Sequence, residues 1–149
     1  GINLRDLLAY DFKNKNDMRY VRHKTRNSKK GENEIVFTLQ PEAKVLIDKY
    51  MSRNGHLQFG KYSSYKQIYS LVFRYINKVT ELSGVKKKVT YYSARKTFAQ
   101  HGYDLGIQIE KIEYCIGHSM KNNRPIFNYI KIMQEHADKV FRAVLDQLL

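Results

Sequence analysis

The chain has 149 residues, 42% of them hydrophobic, and its 27 Lys and Arg against 14 Asp and Glu give a formal net charge of +13. That length fits one domain with a normal core, and that apolar fraction excludes a disordered chain. No apolar run approaches the roughly 20 residues of a membrane span. Cys115 stands alone, which excludes an internal disulfide and points to a reducing compartment, and five scattered His give no zinc spacing. A pI near 9.8 is the electrostatic footprint of a nucleic-acid binder, beside the plainer readings of a soluble basic protein or one that contacts acidic lipid.

The opening Gly1-Ile2-Asn3-Leu4 carries no basic-then-apolar leader and reads like the middle of a helix-turn, so a fragment of a longer chain is expected. Leu4 to Tyr10 is a short helix by its leucine spacing. Met18 to Thr25 and Glu34 to Leu39 read as strands, joined by the basic, turn-forming Arg26-Asn27-Ser28-Lys29-Lys30-Gly31. Pro41 starts a helix where a missing N–H costs least, and Asn54-Gly55 ends it. His56 to Ser63 is loop, with room for a brief strand. From about Ser64 to Ser83 a longer helix carries an apolar stripe of Ile68, Leu71, Val72, Tyr75, Ile76, Val79 and Leu82, stopped by Gly84.

Lys86-Lys87-Lys88 then leads to a helix that Ser93 can cap, which would put Arg95 in its first turn beside free backbone N–H groups. A short helix from about Gln108 to Ile116 buries Ile109, Ile112 and Cys115, and Gly117 ends it with His118 projecting beyond. A polar loop broken by Pro125 reaches Tyr129. The last helix, from about Ile132, is apolar at Met133, Ala137, Val140, Phe141, Val144, Leu145 and Leu148. No repeat, low-complexity tract or linker divides the chain. The fold class is α+β, mainly helical, with a small antiparallel hairpin.

An arginine, a histidine and a tyrosine are thus spread over three successive segments. A guanidinium fork suits two phosphate oxygens, an imidazole can donate a further hydrogen bond, and a phenol can attack. Each residue also has a plain structural reading. Arg95 can be a surface arginine, His118 can merely favour a helix C-terminus, and Tyr129 is one of 12 Tyr.

Taken in order, Tyr92-Ser93-Ala94-Arg95, Ile116-Gly117-His118 and Tyr129 resemble the catalytic domain of the tyrosine recombinases, the phage-integrase family. That family has an H/Y-x-x-R box, an L/I-G-H box and a nucleophilic tyrosine about one helix further on. The resemblance covers essentially all of the chain and implies the DNA breaking-rejoining fold, with an upstream core-binding domain outside this sequence.

By this resemblance Tyr129 forms a 3′-phosphotyrosyl intermediate on double-stranded DNA. Arg95, His118 and Tyr92 bind the phosphate, and Lys24, in His23-Lys24-Thr25, protonates the leaving 5′ hydroxyl. No metal or cofactor is implied. A homotetramer on its recombination site is, as is a cytoplasmic, nucleoid-associated place in a bacterial cell, with no membrane. Arg22, Arg26, Lys29, Lys30, Lys87, Lys88 and Lys96 are the candidate DNA-backbone contacts, against the common reading of charge runs as solvated faces.

Two positions depart from the family pattern. Tyr92 stands where histidine is usual, and a phenol with a pKa near 10 is a poor base. Asn3 stands where Gly1-Ile2-Asn3-Leu4-Arg5-Asp6-Leu7 aligns with the family's G-x-R-x-x-D/E-L, although some mobile-element integrases carry the arginine just before such a Gly-Ile-Asn run. The alternatives are a non-catalytic DNA-binding module of the same fold and a type IB topoisomerase-like nicking-closing enzyme. Whether the last helix docks on its own chain or a neighbour's is open, because one apolar stripe fits either groove.

Overall fold

A computed structural model describes residues 2–23, 34–118 and 134–148. These form α1 (Leu4–Ala9), β1 (Asp17–Val21), β2 (Glu34–Thr38), α2 (Pro41–Tyr50), α3 (Tyr65–Leu82), α4 (Tyr91–Asp104), α5 (Ile109–Cys115) and α6 (Gln134–Asp146). The mainly helical α+β composition agrees with the sequence reading.

The hairpin follows from period-two alternation. Met18 and Tyr20 on β1 are buried and pair with Phe37 and Ile35 on β2, so four apolar side chains share one face. On the wet side, Arg19 Nη1 meets Glu34 Oε2 at 2.9 Å. A two-stranded sheet has two open edges, and here side chains close both. The Tyr10 hydroxyl accepts the Arg19 N–H at 3.0 Å. On β2, the Tyr114 hydroxyl accepts the Val36 N–H at 3.0 Å, and the Asp138 carboxylate accepts the Thr38 N–H at 2.6 Å and its hydroxyl at 2.8 Å. Backbone donors near a packed core need such partners, and these bonds tie the hairpin to α5 and α6. β1 leaves its ladder after Val21, four residues short of the expected Thr25.

The apolar face of the hairpin meets Phe98 of α4, Cys115 of α5, and Ala137, Val140 and Val144 of α6. Phe141 joins these layers, its ring 4.3 Å from that of Phe37 and 5.3 Å from that of Phe98. In this structure the last helix therefore packs on its own chain. Its first expected apolar residues, Ile132 and Met133, lie outside the described residues.

Three expectations about helices are corrected. α2 ends at Tyr50 rather than Asn54-Gly55, because Met51 already bridges Leu57 and the Gln58 N–H reaches the Tyr50 carbonyl at 2.8 Å. Ile109 is exposed, since α5 enters the core only from Ile112 onward. The α3 stripe buries Ile68 but leaves Tyr75, Val79 and Leu82 exposed.

Candidate functional site

The helix carrying Arg95 begins earlier than its sequence suggests. Thr90 is the N-cap and Ser93 is the third helical residue, its hydroxyl accepting the Thr90 N–H at 3.0 Å in a capping box. Ser93 is therefore not the cap. Arg95 falls at the fifth helical position, beyond the first turn whose N–H groups lack helical partners. Helix N-terminal donors and Arg95 do not converge. What fixes Arg95 instead is burial: it is only 7% exposed, and its Nη2 donates to the Ile116 carbonyl at the end of α5. Tyr92, one turn back and largely exposed, brings its phenol near the Arg95 guanidinium and favours its charged form. Lys96 Nζ lies 5.9 Å from the Tyr92 ring centroid, so the ring faces a cation on its outer side.

The Ile116-Gly117-His118 box closes α5 as a Schellman turn. The Gly117 N–H reaches the Tyr114 carbonyl at 2.8 Å, and the His118 N–H reaches the Glu113 carbonyl at 2.9 Å. Gly117 has φ +66, the left-handed region, and a Cβ there would collide with Ile35 Cδ1 and Arg22 Cδ. Only glycine meets both demands, and the outcome is that His118 leaves the helix end exposed, as its sequence position suggested. Arg22, expected on a DNA-facing surface, is instead partly buried, and its Nη1 donates to the Gly117 carbonyl at 2.7 Å.

Arg22, Arg95 and His118 thereby surround one helix end. Burial first, and then the Arg95 and Arg22 charges, hold the His118 imidazole below its usual range, with Glu113 opposing. It is therefore largely neutral at neutral pH and can donate one hydrogen bond while accepting another. Burial and then Arg22 also lower the pKa of Arg95, a group far too basic to lose its charge. The Arg95 guanidinium, an imidazole and a phenol so arranged can receive an oxyanion.

Asp6 went unnoticed in the sequence as a site-forming residue. Buried at 8% exposure, its Oδ1 accepts the His23 N–H at 2.8 Å, fixing the backbone that leads directly into Lys24. Arg5 Nη1 lies 3.1 Å from His23 Nε2, and its guanidinium covers the Tyr65 ring at 4.6 Å. The available signal was an acid set among Leu4, Leu7 and Leu8 of a short helix, where an unneeded carboxylate would be costly to bury.

Lys87 and Lys88 are exposed in the connection from α3 to α4, and Lys96 is exposed on α4. Lys24, Arg26, Lys29, Lys30 and Tyr129 lie outside the described residues. Among the described residues, no three His, Cys, Asp or Glu side chains are grouped as a metal site, and no helix is long and apolar enough to cross a membrane. A cavity of about 650 Å³ between the layers, with Phe12, Met18, Phe98 and Phe141 in its wall, is almost wholly apolar and excludes Arg22, Arg95 and His118.

Among curated proteins the chain is similar to a tyrosine recombinase of Pseudothermotoga lettingae, at 27% identity over 115 residues, covering 74% of this chain and 39% of the relative. The chain thus matches well under half of that protein's length. No protein-family model and no solved structure matches it.

Proposed function

We propose that this chain is the catalytic region of a tyrosine-type site-specific DNA recombinase, an integrase that inserts or excises a mobile element. The observation that carries this reading is the convergence of Tyr92, Arg95 and His118 on the end of α5. The +13 net charge and the likeness to a tyrosine recombinase support it.

A phosphodiester resists attack because its non-bridging oxygens repel a nucleophile, so catalysis requires cations and donors aimed at them. Arg95 supplies the fork, His118 a neutral donor, and Tyr92 a second hydroxyl at the rim. Tyr129 attacks phosphorus, the P–O5′ bond breaks, and the phenolic proton passes to His118 or water. Lys24 gives a proton to the departing 5′ oxygen, and Asp6 holds the N–H of His23, the residue before Lys24 in sequence. The 3′-phosphotyrosyl bond conserves the energy of the broken ester, so a 5′ hydroxyl from a partner duplex reverses the step without a cofactor. Lys87, Lys88 and Lys96 contact the DNA backbone, and the active assembly is a tetramer on the recombination site.

One observation favours a non-catalytic DNA-binding module. Asn3, at the family's arginine position, caps α1 by accepting the Arg5 N–H at 2.9 Å and so has a purely structural use. Covalent trapping on a nicked suicide duplex separates the two. The recombinase forms a DNA adduct that Tyr129→Phe abolishes and Arg95→Ala reduces by about a hundred-fold or more. A module binds the same duplex and forms none.

A further inference from the structure

Arg22 is drawn inward by the turn it faces. The last carbonyls of α5 carry the negative end of the helix dipole and lack helical partners. Two guanidinium groups meet them from opposite elements: Arg95 of α4 donates to the Ile116 carbonyl, and Arg22, just past β1, donates to the Gly117 carbonyl at 2.7 Å. The Arg22 stem also occupies the space a Gly117 side chain would need, with its Cγ 3.1 Å from that position. Strand end and helix end are interlocked at the residue before His118. A flexible, solvated DNA contact would show neither the carbonyl bond nor the packed stem.

We propose that Arg22 is a positioning residue: by clasping the Gly117 carbonyl from β1, it fixes the turn that presents His118 beside Arg95. This rests on the reading of Arg95 and His118 as the phosphate-binding pair. Its charge acts as well as its geometry. His118 is faced by Arg95 from α4, by Arg22 from the end of β1 and by Glu113 from α5, and the two guanidinium groups disfavour an imidazolium there. Arg22 thereby helps keep His118 neutral, with one nitrogen able to donate to the phosphate.

Arg22→Gln and Arg22→Lys test this with three readings: single-turnover adduct formation at saturating DNA, DNA affinity against salt, and titration of the His118 imidazole by NMR, its signal assigned by loss in His118→Gln. Arg22→Gln removes both charge and clasp. Its adduct rate falls roughly ten- to hundred-fold, the cost of a misplaced group, while affinity stays within about three-fold and the His118 titration moves upward. Arg22→Lys keeps the charge but loses the fork, so His118 titrates near its wild-type position while the adduct rate still falls several-fold. The proposal is overturned if Arg22→Gln keeps the wild-type adduct rate and instead weakens binding, with the salt slope reduced by about one, as a plain phosphate contact would. Should the wild-type chain form no adduct, the recombinase reading fails on its own. The His118 titration then decides for Arg22: an upward move in Arg22→Gln supports the clasp, and an unmoved titration overturns it.

Discussion

Gly117 shows how closely one residue can be determined. It needs a left-handed backbone and has no room for a side chain, with Ile35 and Arg22 against it. Gly117→Ala should therefore destabilise the fold by about 2–4 kcal/mol, combining the cost of that backbone region with overpacking, read as a lower urea midpoint. His118 gives a pH signature. Its folded-state pKa lies below that of the unfolded chain, so on acidification the unfolded state takes up the proton first. The His118 contribution to stability should be constant above about pH 6.5, fall as pH drops through that value, and level off below the folded pKa. Comparing urea midpoints at pH 7.5 and 5.5 for wild type and His118→Gln checks this, since the variant should lose that part of the decline. The glycine and the histidine were legible in the sequence because a glycine followed by a polar residue after an apolar helix has few local explanations. Arg22 and Asp6 were not, because their partners, Gly117 and His23, lie 95 and 17 residues away.

At the scale of elements, local periodicity carried most of the information. The hairpin alternation, the proline start of α2 and the spacing of α5 all formed as expected, while β1 and α2 each ended about four residues early. The start of α4 was misplaced where two capping residues competed. Thr90 and Ser93 are both good caps, and the reciprocal box makes the earlier one the boundary and leaves the later inside the helix. α6 illustrates the opposite limit. Its stripe announced a buried helix but not its partner, which is set by Thr38 meeting Asp138 and by Phe141 between Phe37 and Phe98. Phe141→Ala should cost about 2–4 kcal/mol in urea unfolding if α6 packs on its own chain, because it opens a cavity where three elements join. A loss well under 1 kcal/mol would mean that this packing contributes little to the folded monomer.

Over the whole molecule the excess of positive charge is the broadest feature. Arg95 and Arg22 are both anchored at the end of α5, whereas Lys87, Lys88 and Lys96 are exposed and suited to longer-range attraction. DNA affinity should fall roughly ten- to hundred-fold between about 50 and 200 mM salt, as expected for release of a few counterions. Replacing Lys87 and Lys88 together by Gln should flatten that dependence equally on specific and unrelated duplexes, measured by fluorescence anisotropy. Charge alone does not distinguish binding from strand transfer, so the central claim rests on chemistry at Tyr129. The most direct measurement is peptide mass spectrometry of the protein trapped on a suicide duplex, after nuclease trimming of the DNA. The expected result is one modified peptide, with a nucleotide joined through its 3′ phosphate to Tyr129. Attachment to another residue, attachment through a 5′ phosphate, or intact binding without any modified peptide would contradict it.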